Sequence, residues 1–250
     1  MADAGELAKA LDAALREKRE IPPLTQTHGD YDLNVAYAAQ ALGLTLRQER
    51  GEKIVGYKMG LTSEAKRKQM NLGLPIYGVL TDAMRVRSEV RVGDGVHPKV
   101  EPEIAFVTAR ELHGRITRAQ AFAALRSVAP ALEILDSRFT GFKYFSLPDV
   151  VADNASSWRF VLGPERPPRD TSGLKMTMKV DGRVVQEADS NAISGHPLDS
   201  LVQLVGMLPH PLPAGSVVLA GAATVAEPLR PGMRVELVVE ELGSVSLSCA

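Results

Sequence analysis

The chain has 250 residues with 29 basic and 30 acidic side chains, a formal net charge of −1, so no charge excess points to nucleic acid or an anionic membrane. Hydrophobic residues at 45% and charged residues at 24% exclude a disordered chain and predict a sizeable core. The lone cysteine, Cys249, excludes a disulfide framework or a multi-cysteine zinc site within one chain and predicts a cytoplasmic, reducing setting.

Leu7, Leu11, Ala14 and Leu15 recur at helical spacing, which predicts an amphipathic first helix ending before Ile21-Pro22-Pro23. No secretory signal is expected there, because charged residues interrupt the apolar ones. Residues 32–46 predict a second helix with Val35, Ala39, Leu42 and Leu46 as its stripe, weakened near its end by Gly43. Residues 53–59 predict a short strand, and Leu61-Thr62-Ser63 a third helix that closes at Gly73. From Val86 onward the texture changes to β-branched runs cut by Gly and Pro. Strands are expected over residues 103–109 and 175–185, the latter folded at Asp181-Gly182, with a helix over residues 118–128 between them. Pro197 opens another helix through Leu208, and residues 234–239 and 244–248 close the chain as strands. Residues 217–226 form the longest weakly apolar run, about half of the roughly 20 residues a membrane span needs, so no membrane partner is expected. The expected organisation is an N-terminal helical cap region over 1–85 and a β-rich catalytic region over 86–250, folding as one cooperative unit.

There is no phosphate loop, dinucleotide fingerprint, paired helical histidines or Gly-x-Ser-x-Gly elbow. The informative residues are carboxylates. On a strand, Glu101 and Glu103 project from one face with Pro102 opposite. Such a pair repels, and is either a solvated face or a site for a hard cation such as Mg²⁺ or Mn²⁺. Glu133 sits inside the apolar run Ala131-Leu132-Glu133-Ile134-Leu135, where a glutamate needs a partner: an arginine, Arg138 or Arg159, or the same cation. Lys58, in the Gly-bracketed stretch Gly56-Tyr57-Lys58-Met59-Gly60, is either a surface lysine or, facing a metal, a proton donor or enolate stabiliser.

Four ordered blocks carry a resemblance: Gly56-Tyr57-Lys58-Met59-Gly60-Leu61-Thr62-Ser63, Tyr77-Gly78-Val79-Leu80-Thr81-Asp82-Ala83-Met84, Glu101-Pro102-Glu103-Ile104-Ala105-Phe106 and Ala131-Leu132-Glu133-Ile134-Leu135-Asp136-Ser137-Arg138. Over nearly its whole length the chain resembles the 4-oxalocrotonate decarboxylase and 2-oxopent-4-enoate hydratase branch of the fumarylacetoacetate hydrolase superfamily. The resemblance implies an α+β fold, a mixed β-roll with an N-terminal helical cap, and a Mg²⁺ or Mn²⁺ cofactor. It puts Glu101, Glu103 and Glu133 on the metal-ligand positions and Lys58 on the catalytic lysine. Expected substrate-binding residues are Leu61, Thr62, Ser63, Val150, Asn154, Ser156 and Thr224.

The implied substrates are 2-oxo or 2-hydroxy-dienoic acids from aromatic ring cleavage. Residues 79–84 and Leu219-Ala220-Gly221-Ala222-Ala223-Thr224-Val225-Ala226 look more like a decarboxylase than a hydratase, which tends to carry a Ser-Leu-Thr type sequence at the later place. The expected activity is therefore loss of CO₂ from the small 2-oxo dicarboxylic acid 2-oxohex-3-enedioate. Hydration of 2-hydroxypenta-2,4-dienoate is the alternative, and a non-catalytic assembly role the second. A homo-oligomer is expected, with a hetero-complex with a related hydratase as a family expectation.

Overall fold

Asp3 accepts from the Glu6 amide and so caps α1 (Ala4–Glu17), which lays Leu7, Ala8, Leu11 and Ala14 into the interior. The computed structural model to which these elements belong describes residues 2–62, 75–142 and 146–250. The helix predicted to open at Leu61-Thr62-Ser63 and end at Gly73 lies outside those residues from Ser63 onward. A short α2 (Leu24–His28), with no sequence signal of its own, leads to α3 (Leu33–Glu49), capped by Asp32 through the Val35 amide. Gly43 does not stop α3. Its buried face is Ala36, Ala39, Gln40 and Leu44; of the predicted stripe only Ala39 is buried, Val35 and Leu46 are half-buried and Leu42 is 43% exposed. The cause is polar: Gln40 points inward and donates to the carbonyls of Tyr77 and Val151, which orients the helix by two buried hydrogen bonds.

The remaining elements, in chain order, are β1 (Ile54–Gly60), β2 (Ile76–Thr81), β3 (Glu89–Val90), β4 (Lys99–Thr108), α4 (Arg118–Ala123), β5 (Leu125–Leu135), α5 (Leu147–Ala152), β6 (Ser157–Leu162), β7 (Lys175–Val180), β8 (Arg183–Asp189), α6 (Pro197–Met207), β9 (Val217–Leu219), β10 (Glu227–Pro228), β11 (Arg234–Val239) and β12 (Gly243–Cys249). One sheet has the order β2-β1-β9-β4-β5-β6 with β10 beside β4, and the other β3-β12-β11-β7-β8. Only β1–β9 and β3–β12 run parallel, so both sheets are mixed. The predicted boundary at residue 85 falls beyond β1 and β2, which are integral strands of the first sheet. The predicted helix over 118–128 is cut short. Thr117 and Gln120 form a capping box that starts it, but it ends at Ala123, and from Leu125 the chain pairs with β4 instead. β5 is buried on both faces, so its apolar run carries no alternation to distinguish strand from helix. The Asp181-Gly182 turn does join two strands, with φ of 49° and 79°.

Val100, Ile104, Phe106, Val128, Leu132 and Ile134 of β4 and β5 pack with Met176, Met178, Val235, Leu237, Val245 and Leu247 of the second sheet. By the period of two, the intervening residues of β4 and β5 point the other way, where Ala105 and Ala131 pack with Leu80, Met84, Phe160, Val217 and Leu219; α1, α3 and α5 form a further cluster with Ile76, Phe139 and Ala155. That parity decides where the carboxylates go. Among the described residues no helix is long and apolar enough to cross a membrane.

Candidate metal and substrate site

Glu101 and Glu133 lie directly opposite each other on β4 and β5, and Glu103 follows two residues along on the same face. Three carboxylates meet there, each offering an oxygen within 4.8 Å of the others. Glu103 and Glu133 are fully buried and Glu101 half-buried. Burial, and then the negative charge of Glu133 and of Glu101, hold the Glu103 carboxyl well above the usual carboxylate range, against the opposing pull of Lys58. The Gly221 amide donates to Glu103 Oε2 at 2.8 Å, while Oε1 has no hydrogen-bond partner among the described residues. A buried, unpartnered oxygen aimed into a cluster of like charge needs a cation. Three hard oxygen donors suit a divalent ion of the Mg²⁺ or Mn²⁺ type and leave coordination positions for water or ligand.

Lys58 reaches this cluster from β1, with β9 between it and β4. Its Nζ lies 3.2 Å from Glu133 Oε1 and donates to Oε2 at 3.3 Å, both side chains being out of solvent. The partner expected for Glu133 from an arginine is thus a lysine. Arg138 turns instead to Asp153, through Nε and the backbone amide, and Arg159 lies over the Trp158 ring. Gly78, opposite Lys58 on β2, makes room for it: a Cβ there would strike Ser157 Oγ, stand 2.6 Å from the Asn154 carbonyl oxygen and 3.3 Å from Lys58 Cε.

The wall beside Lys58 is an unusual piece of backbone. Asn154, Ala155 and Ser156 all hold left-handed φ, at 49°, 50° and 59°. Each costs a non-glycine residue energy, so the surroundings must hold the turn in place. The Asn154 amide side chain accepts from the Val79 N–H at 2.8 Å and donates to the Val79 carbonyl at 2.9 Å. The Asp136 N–H donates to the Ser156 carbonyl, and the Asp153 carboxylate, pushed up to about 6 by burial against the pull of Arg138, takes the Arg138 guanidinium.

The predicted substrate residues are dispersed around this centre. Leu61, with φ of 57°, turns the chain out of β1, and buried Thr62 packs against Gly221. Ser63 lies outside the described residues. Val150 is interior to the helical cluster, Asn154 and Ser156 belong to the left-handed turn, and the Thr224 hydroxyl bonds Gln186 of β8. Two glycines were missed as site residues. Gly78 and Gly221 act through an absent side chain, and a sequence shows such a residue without showing what it must avoid.

Residues 58–248 match the family described as fumarylacetoacetate (FAA) hydrolase, C-terminal, and the chain belongs to that family. It is 46% identical to a 4-oxalocrotonate decarboxylase of Pseudomonas sp., over 97% of this chain and 96% of that protein. It is 33% identical to a 2-hydroxyhexa-2,4-dienoate hydratase of Comamonas testosteroni, over 94% of this chain and 92% of that one. Its fold matches the structure of 4-oxalocrotonate decarboxylase from Pseudomonas putida G7 complexed with magnesium and adipate, with a TM-score of 0.95, 36% identity, and coverage of 99% of this chain and 97% of that one. The helix-capped, mixed-sheet architecture expected from the resemblance is the observed one.

Proposed function

We propose that the chain is a metal-dependent 4-oxalocrotonate decarboxylase, converting 2-oxohex-3-enedioate to 2-hydroxypenta-2,4-dienoate and CO₂ in the breakdown of aromatic ring-cleavage products. The observation that carries this is the convergence of three carboxylates, one with an unpartnered buried oxygen, beside a buried lysine. Kinship with decarboxylases along the full chain supplies the reaction class. Glu101, Glu103 and Glu133 would hold Mg²⁺ or Mn²⁺, which when bound supplies Lewis-acid polarisation of a 2-oxo acid.

The protein's own residues do the rest. As the C5–C6 bond breaks, its electron pair forms C4=C5, the former C3=C4 pair moves to C2=C3, and the C2 oxygen gains the charge. Lys58 stabilises that oxygen and gives it a proton, and Glu133 holds Lys58 in place for both tasks. The floor around them excludes water, because Ala105, Ala131 and Leu219 pack together and are all buried. Leu61, Thr62, Ser63, Val150, Asn154, Ser156 and Thr224 are proposed to shape the substrate's surroundings. A cytoplasmic enzyme that self-associates, and that pairs with a related hydratase to pass on its product, completes the reading.

The test is product identity. Purified protein with Mg²⁺ should release CO₂ from 2-oxohex-3-enedioate, lose that activity in EDTA, and bind the six-carbon dicarboxylate adipate only when Mg²⁺ is present. Kinship with the hydratases favours one competing outcome, water addition to 2-hydroxypenta-2,4-dienoate without CO₂, and that result would replace the decarboxylase assignment.

A further inference from the structure

We infer that Lys99 recognises the distal carboxylate of the substrate, the group that departs as CO₂; this rests on the decarboxylase reading above. Lys99 opens β4 and shares the strand face of Glu101 and Glu103. Exposure grades along that face: Glu103 is fully buried, while Glu101 and Lys99 are half-buried, so Lys99 stands on the solvent side of the carboxylates. Two residues of strand advance it about 7 Å beyond Glu101. A fully extended six-carbon dicarboxylate separates its two carboxyl carbons by a similar span, about 6 Å over five carbon–carbon bonds. A ligand engaged at the glutamates through its 2-oxo acid end therefore reaches Lys99 with the other.

Among the described residues the lysine is held for such a role by a ring and not consumed by an anionic partner. Its Nζ sits 4.0 Å from the centroid of the Phe142 ring, and His97 packs edge-on against the same ring at 6.4 Å. The His97 backbone N–H donates to Asp136, and its Nε2 lies 2.6 Å from Glu20 Oε1. Lys99 makes no ion pair among the described residues, whereas Lys58 is committed to Glu133 and Arg138 to Asp153. Charge balance points the same way. Three glutamates, Lys58 and one divalent ion sum to zero, so a second substrate carboxylate meets no surplus positive charge at the centre itself. Lys99 supplies it.

This contact belongs to the ground state. The distal carboxylate loses its charge as it becomes CO₂, so the attraction to Lys99 fades on the way to the transition state, and Lys99 aids binding without aiding the chemical step. Replacing it, as Lys99→Met, should weaken Mg²⁺-dependent adipate binding by about tenfold or more, the effect of one charge-assisted hydrogen bond. Binding of hexanoate, which has the same length and no second carboxylate, should change less than about twofold, as should Mg²⁺ affinity. KM for 2-oxohex-3-enedioate should rise while kcat is held or increases, and Lys99→Arg should retain most of the adipate affinity.

Titration calorimetry on the full chain reads the binding constants, and Lys99→Gln serves as the second neutral variant if the methionine variant fails to fold. Unchanged adipate affinity in the neutral variant overturns the assignment. So does an equal loss for adipate and hexanoate, or a fall in kcat at unchanged KM. Wild-type protein that binds adipate no better with Mg²⁺ than without overturns the decarboxylase reading, and this inference with it.

Discussion

Replacing Gly221 by alanine tests how the carboxylate centre is assembled. The new methyl carbon would stand 2.5 Å from Thr62 Oγ1, 2.7 Å from Cγ2 and 3.1 Å from Cβ, on a backbone whose φ is 104°. Rotating Thr62 relieves this only in part, because its Cβ stays at 3.1 Å and its two branches must find room elsewhere. A non-glycine residue in a left-handed conformation costs roughly 1–2 kcal/mol, so the chain shifts and carries the Gly221 amide away from Glu103 Oε2, which it now meets at 2.8 Å. A hydrogen bond to a charged group contributes about 1.5–3 kcal/mol. The two effects separate by assay. Strain should lower Tm in EDTA by roughly 2–8 °C for a chain of this size. Loss of the amide that fixes Glu103 should weaken Mg²⁺ by roughly 10- to 150-fold in titration calorimetry. Adding Thr62→Ala to the variant should restore part of Tm, since the overlap is then mostly gone. A Gly221→Ala protein with Mg²⁺ affinity within about twofold of wild type would refute the reasoning.

In the metal-free protein Glu103 binds its proton more tightly folded than unfolded, mainly because it is buried. The stability this contributes is full below the ordinary carboxylate range and is lost as pH rises through the raised value. Melts in EDTA should therefore show wild type losing stability with rising pH relative to Glu103→Gln, and Mg²⁺ at about 100 times Kd should stabilise wild type alone by roughly 2.7 kcal/mol; parallel pH curves for the two would count against it. Lys58→Met should keep its Mg²⁺ affinity within about tenfold yet lose roughly 10²- to 10⁴-fold in single-turnover CO₂ release, and turnover close to wild type would remove Lys58 from the chemistry. Asp153→Asn strands the buried Arg138 guanidinium, with Asp136 as its remaining carboxylate neighbour at 3.9 Å. Urea unfolding at pH 8 should show about 3–5 kcal/mol of destabilisation, shrinking as pH falls through about 6, where the wild-type carboxyl takes up its proton; a pH-independent penalty is the contrary result.

What the residues disclosed in advance follows from which forces leave a periodic mark. α1 and α6 were legible because one face of each is apolar at helical spacing. The carboxylates were legible for the opposite reason, that Glu133 is out of place in an apolar run and needs a partner. α3 was found but turned wrongly, since its inward face is set by Gln40, a polar residue whose two carbonyl acceptors lie far away in sequence. The start of β5 was read as helix because burial on both faces erases alternation. Lys58 was recognised as chemically apt, but its pairing with Glu133 depends on the parallel placement of β9, which no local pattern encodes. The left-handed run at Asn154, Ala155 and Ser156 was invisible, since of the three only Asn154 is a residue that favours it and the surroundings hold Ala155 and Ser156 there.

The Asn154 clamp on Val79 and the Gln40 bond to the Tyr77 carbonyl share a target: the outer side of β2, the terminal strand of its sheet. Unpaired strand edges invite pairing with another chain and aggregation. Here the left-handed turn and α3 answer the ladder groups that a further strand would otherwise claim. The helical layer is therefore fastened along the sheet's border and cannot swing away as a hinged lid without baring that border. Among the described residues, Glu101 and Lys99 open the site to solvent at the strand ends, and changes of specificity among relatives are expected to gather there while the fastened border stays fixed.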